Sequence, residues 1–202
     1  MAAPILGITG GIATGKSSFA NLLARQTGAR LFDADQAARD LLRSDENVRR
    51  LIRLEFGDAI LAPGGEPDRA LLRELVFASE EKRHALERIL HPAIREQWTG
   101  LAAQARASGA WLAVDIPLLY ETGAEAAFDA IIVVACRTST QMERLLNIRK
   151  LDRAMAEKII AAQMDLGAKI ARADHLAWND GPAPALEEQA ALLSTFLKER
   201  HG

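Results

Sequence analysis

Short runs that are apolar at nearly every position alternate along this chain with longer stretches whose apolar residues recur at helical spacing. Five runs are of the first kind, at residues 4–9, 29–33, 111–115, 130–135 and 175–178. Ile131-Ile132-Val133-Val134 presents apolar side chains to both faces, as a strand buried in a parallel sheet must. After the first run, Phe19, Ala20, Leu22, Leu23 and Ala24 follow a helical period that Gly28 ends. This alternation predicts an α/β fold, a five-stranded parallel sheet flanked by helices.

The spacing of the strands is uneven. One helix separates the first two, but residues 34–110 carry little strand character. They predict helices at 35–43, 46–56, 68–78 and 80–108, punctuated by Gly57 and by Pro63-Gly64-Gly65-Glu66-Pro67. Pro92 lacks an N–H, so a kink or a fresh helix start is expected there. A helical insert at this point would project past the carboxyl ends of the strands, where open α/β sheets bind ligands. An arginine-rich helical stretch is predicted over 140–164. A last helix over 185–200 would place Leu186, Leu193 and Leu197 on one side, with Lys198 and Arg200 near its negative end. The expected division is a core of residues 1–34, 109–139 and 174–202, an insert of 35–108, and a lid with adjoining helices at 140–173.

Composition narrows the function classes. The chain has 202 residues, 49% hydrophobic and 26% charged, with a net charge of −2. That argues against a general nucleic-acid or membrane surface. Cys136 is the only cysteine, which excludes a disulfide within the chain. No apolar run approaches the length of a membrane span, and the first residues lead into a strand without a basic, then apolar, leader. A cytoplasmic protein with neither membrane nor nucleic-acid partner is expected. His84, His91, His175 and His201 lack metal-ligand spacing, and no G-x-S-x-G nucleophile elbow occurs.

The most informative segment is Gly10-Gly11-Ile12-Ala13-Thr14-Gly15-Lys16-Ser17, which fits G-x-x-x-x-G-K-[ST] between a predicted strand and helix. Backbone N–H groups of such a loop surround phosphates, Lys16 adds a positive charge, and the Ser17 hydroxyl is suited to Mg²⁺. The helix that follows aims its positive end at the same anion. The alternative is a glycine-rich turn that merely joins strand to helix.

Other candidates cluster at strand ends. Asp33 closes the second strand and suits a general base that accepts the nucleophile's proton; the alternative is a helix N-cap. Asp35 either holds the acceptor or caps the same helix. Asp115 closes the third strand as a Walker-B Asp would, where it would bind Mg²⁺ directly or through water. Residues 116–121 after it read as a tight apolar turn; the alternative is a hydrophobic plug under the loop. Arg144, Arg149, Lys150 and Arg153 are either lid cations over the phosphoryl donor or a solvated basic face. Asn179-Asp180-Gly181 is either an adenine-edge loop or a turn.

Taken together, the residues resemble the dephospho-CoA kinase family along nearly the whole chain. The resemblance runs through Thr9–Ile12 and Gly15-Lys16-Ser17, then Asp33-Ala34-Asp35 with Ala38-Arg39. Phe56-Gly57, Asp68-Arg69 with Leu72-Arg73, and Leu90-His91-Pro92 with Ile94-Arg95 follow. It continues through Asp115–Glu121, Gln141 with Arg144-Leu145, Ala162-Gln163-Met164, Lys169, Ala173-Asp174, and Asn179 with Gly181. It implies a P-loop kinase core, a helical acceptor-binding insert and a lid. It also implies transfer of the γ-phosphoryl group of ATP to the ribose 3′-hydroxyl of dephospho-CoA, with Mg²⁺, as the last step of coenzyme A biosynthesis.

By that resemblance, Gly10, Gly11, Ile12, Ala13, Thr14, Gly15, Lys16, Ser17 and Ser18 bind ATP, together with Arg144, Asn179 and Gly181. Asp33, Lys16 and Arg144 are the catalytic candidates. Asp33, Asp35, Arg39, His91, Arg95, Leu118 and Tyr120 surround the acceptor, and Ser17 and Asp115 hold the metal. Three positions depart from the family pattern: Ala13 replaces a usual glycine, Ile148 a usual lid arginine, and Ala177-Trp178 a usual Ile-Asp. A nucleotide or nucleoside kinase on the same core is the neighbouring alternative. A guanine-nucleotide switch would require an Asn-Lys-x-Asp segment, which the chain lacks.

Overall fold

The computed structural model describes residues 3–201. Strands β1 (Ile5–Gly10), β2 (Arg30–Asp33), β3 (Leu112–Asp115), β4 (Ala130–Ala135) and β5 (His175–Trp178) form one sheet in the order β2-β3-β1-β4-β5. Every pairing is parallel. The five predicted runs are these strands, displaced by at most a residue at either end.

Two compact units make up the chain. One comprises the residues up to Asp33 together with those from Leu101 onward; the other is Ala34–Gly100. In the first, Leu6, Ile8, Ile132, Val134 and Ala177 pack against Phe19 and Leu23 of α1 (Lys16–Thr27) and Leu186, Ala190 and Leu197 of the final helix (Ala183–His201). Phe19, Leu23, Ile132 and Leu197 are completely buried. Each such side chain contributes roughly 1.5–3 kcal/mol of hydrophobic stabilisation. Gly28 ends α1 in the left-handed conformation, its N–H donating to the Ala24 carbonyl.

The second unit contains α2 (Ala34–Ser44), α3 (Glu46–Phe56), α4 (Arg69–Ala78) and most of α5 (Glu80–Ser108). It has its own core of Leu41, Leu42, Val48, Ile52, Ile60, Leu72 and Leu90. Asp45 and Asp68 cap α3 and α4 by accepting backbone N–H bonds. The Pro63–Pro67 punctuation is a tight turn closed by a bridge between Leu61 and Pro67.

Two expectations are corrected. Pro92 does not start a new helix, because α5 runs unbroken from Glu80 to Ser108. A proline forgoes one ladder bond, and the helix on either side is long enough to continue around that loss. The stretch over 140–164 is two helices, α6 (Thr138–Asn147) and α7 (Arg153–Ala161). Between them Lys150 adopts a left-handed φ of 56°, and Asp152 caps α7 by accepting from the Met155 N–H at 2.8 Å. A short helix, α8 (Leu166–Ala171), precedes β5, and the final helix is α9. No helix among the described residues is long and apolar enough to cross a membrane.

Candidate active site

The loop from Gly10 to Ser17 leaves β1 at the sheet's carboxyl edge and enters α1. Gly15 stands at the N-cap with φ 89°, and its side-chain-free α-carbon lies against the Asn179 amide nitrogen, which occupies the space a Cβ would need. No side chain caps α1, and its first turn carries no acidic residue. The helix therefore presents bare N–H groups and its positive dipole end, the arrangement that binds phosphate. Ser17 and Ser18 are exposed in that first turn.

Three consecutive loop carbonyls are held from outside. The Gln141 amide donates to Ile12 O at 2.8 Å, Arg144 Nη1 to Ala13 O at 3.1 Å, and Asn179 Nδ2 to Thr14 O at 2.7 Å. Arg144 Nη2 also donates to Asn179 O at 2.8 Å. The Ile12 N–H in turn donates to Gln163 Oε1 at 2.8 Å. With its carbonyls tied outward, the loop backbone is fixed before any phosphate arrives, which lowers the ordering cost of binding.

Ala13 has a φ of 58°. The left-handed region costs a residue with a Cβ about 1–2 kcal/mol, so the alanine is strained where glycine would not be. Replacing Ala13 with Gly is expected to raise stability by roughly 0.5–1 kcal/mol after the added freedom of the unfolded chain is subtracted. A thermal scan reads this as a rise of about 2 °C; an unchanged or lowered melting temperature would show that the conformation carries no strain.

Behind the loop sits a buried carboxylate. Asp115 is 1% exposed. One of its oxygens pairs with Lys16 Nζ, and the other accepts from Ser17 Oγ at 2.9 Å. Burial raises the Asp115 carboxyl above the ordinary carboxylate range; Lys16 and Ser17 oppose the shift, and the negative charge of Asp33 reinforces it. Strand register explains the influence of Asp33. It lies directly across from Asp115 in the β2–β3 pairing, and Asp115 lies across from Ile8 of β1. Adjacent strands are about 4.8 Å apart, so two carboxylates end neighbouring strands, and the second of them contacts the phosphate loop through Lys16 and Ser17.

The Ser17 hydroxyl and the Asp115 carboxylate are two hard oxygen donors in contact, beside a loop built for phosphate. They fit Mg²⁺, which takes one or two protein oxygens and completes its shell with phosphates and water. Among the described residues, no group of three or more His, Cys, Asp or Glu could cage a metal instead.

The other sequence candidates are divided between the units. Leu118, Tyr120, Arg144, Asn179 and Gly181 share the first unit with the loop, whereas Asp35, Arg39, His91 and Arg95 belong to the second. Asp35 lies exposed in the first turn of α2, and Arg39 donates twice to Gln36 on the same helix. Burial lowers the basicity of His91, against an opposing pull from Glu87. Tyr120 is buried, its hydroxyl donating to Arg172 O at 2.9 Å and its ring stacked on the Arg172 guanidinium. Ile148 is exposed at the end of α6.

Similarity to known proteins agrees with this geometry. The model of the dephospho-CoA kinase family matches residues 4–184. The dephospho-CoA kinase of Anaeromyxobacter dehalogenans is 42% identical over 199 residues, covering 98% of this chain and 94% of that protein.

The chain belongs to the dephospho-CoA kinase family.

Among solved structures, TT1252 from Thermus thermophilus superposes with a TM-score of 0.78 at 31% identity, covering both chains completely. The dephospho-CoA kinase of Campylobacter jejuni shares the fold at 22% identity, with a TM-score of 0.64 and coverage of 96% and 97%. Within this family fold, sequence reasoning assigned no role to Gln141 or Gln163. The signal for Gln141 was present: it lies one turn before Leu145 on the buried stripe of α6, where an amide has no reason to sit without a polar partner. Gln163 lies between α7 and α8, outside any periodic pattern, and its partner is distant in sequence.

Proposed function

We propose that this protein transfers the γ-phosphoryl group of ATP to the ribose 3′-hydroxyl of dephospho-CoA, giving coenzyme A and ADP. The match to the dephospho-CoA kinase family over residues 4–184 carries the reading. The intact loop and its buried carboxylate supply the chemistry a kinase needs.

In this reading the loop N–H groups and Lys16 hold the β- and γ-phosphates and neutralise charge that grows during transfer. Asp33 takes the proton of the acceptor hydroxyl at its carboxylate. Its neighbour Asp115, paired with Lys16, would hold Mg²⁺ together with Ser17, and the ion would supply further charge neutralisation. Arg144 stiffens the loop through Ala13 and lies on the donor side. The helical insert, residues 35–108, is assigned to the acceptor through Asp35, Arg39, His91 and Arg95; the family resemblance assigns Leu118 and Tyr120 to the acceptor as well. Residues 140–173 are assigned to the lid. Ile148 lacks the charge usual at its position, leaving Arg149 and Lys150 as the nearby lid cations.

The test is an acceptor panel. Purified protein with Mg-ATP is given dephospho-CoA, AMP, CMP or water, and products are identified by mass spectrometry. Coenzyme A is expected from the first mixture alone. Phosphorylation of a nucleoside monophosphate, with dephospho-CoA untouched, would replace this reading with a nucleotide kinase.

A further inference from the structure

Lys169 is completely buried on α8, and no step above uses it. Its three amine hydrogens meet three acceptors. Nζ pairs with Glu121 Oε1 at 2.8 Å and donates to Pro117 O at 2.9 Å and Gly10 O at 3.4 Å. Each acceptor belongs to a different part of the site. Gly10 ends β1 and begins the phosphate loop; Pro117 follows Asp115 by two residues; Glu121 closes the turn that comes next. The same Glu121 oxygen accepts from the Met164 N–H at 3.0 Å, and Thr9 Oγ1 donates to the same Pro117 carbonyl at 3.1 Å.

Stability alone does not explain a lysine there. Enclosing a charge is costly, and apolar replacements of buried ion pairs are often neutral or stabilising. What the amine provides is a fixed spacing. It fastens the carbonyl that starts the loop to the carbonyl just beyond the carboxylate that Lys16 and Ser17 require.

We propose that Lys169 is a positioning residue for phosphoryl transfer, setting the alignment of the phosphate loop with the Asp115–Glu121 segment. The inference rests on the kinase reading above. Removing the amine leaves Gly10 O without this donor and frees the two segments to shift. Misplacement of reacting groups by about 1 Å costs on the order of 10²-fold in rate.

Lys169→Met keeps the length of the side chain and removes the donor. Its kcat is expected to fall roughly 10- to 100-fold, while the nucleotide dissociation constant and the KM for the acceptor stay within about threefold. Leu197→Ala, a core truncation on α9, is the stability control: it should lower the melting temperature and leave kcat per folded molecule unchanged. A Lys169→Met protein that behaves like this control, with kcat within about twofold of wild type, overturns the proposal. If Lys169→Met does not fold, Glu121→Gln decides. That variant preserves shape and an acceptor but removes the charge. A fall in kcat of threefold or more at unchanged nucleotide affinity supports positioning, and unchanged kcat overturns it. A wild type that phosphorylates a different acceptor defeats the functional reading instead, and the same kcat comparison is then made with that acceptor.

Discussion

Asp33→Asn is expected to lower turnover roughly 10²–10⁴-fold, the usual contribution of a positioned general base. Asparagine preserves size and hydrogen bonding but cannot take a proton. The register of β2 against β3 sets Asp33 beside Asp115, whose carboxylate contacts Lys16 and Ser17 of the loop. Nucleotide affinity should remain within about threefold, since neither Lys16 nor the loop N–H groups depend on Asp33. Metal binding should not weaken either, since the oxygens assigned to Mg²⁺ belong to Ser17 and Asp115. Steady-state kinetics and calorimetric titration with Mg-ATP separate these effects. Near-normal turnover would remove Asp33 from the proton-accepting role.

Asp115→Asn should reduce turnover by roughly 10²–10³-fold, comparable to losing one preorganised electrostatic group at a reacting centre. Two losses combine here. Mg²⁺, on the proposed assignment, would lose its carboxylate, and Lys16 loses the partner that holds its ammonium at the base of the loop. Because that pair is nearly enclosed, stability should also fall by about 1–3 kcal/mol, the penalty of leaving a buried polar group poorly satisfied. The distinguishing readout is the Mg²⁺ concentration giving half-maximal rate, which should rise in Asp115→Asn and stay unchanged in Asp33→Asn. An Asp115→Asn enzyme with wild-type Mg²⁺ dependence would contradict the metal assignment.

Much of this was legible in the residues, for physical reasons. The five strands were readable because a parallel strand buried on both faces has to be apolar throughout, as Ile131–Val134 is. The phosphate loop was readable because its geometry demands glycine at fixed positions, Gly15 above all. Asp33 and Asp115 were visible as carboxylates ending apolar runs, though their adjacency was not, because register joins residues far apart in sequence. The break between α6 and α7 was hidden by helix-compatible side chains on both sides, and it depends on one left-handed residue, Lys150. Helix α8 is too short for a period to show. Gln141 was signalled as an amide on a buried stripe, without its partner; the grip of Gln163 and Lys169 on the loop and the strand ends was unreadable for the same reason as the carboxylate pair: each contact closes over more than a hundred residues, or across the fold to Pro117.

The central claim is the identity of the acceptor atom. With γ-³²P-labelled ATP, Mg²⁺ and dephospho-CoA, the account predicts that the label enters coenzyme A as a phosphomonoester, which ³¹P NMR of the unlabelled reaction assigns to the ribose 3′ position. Label recovered as inorganic phosphate, or on any other acceptor atom, would contradict it.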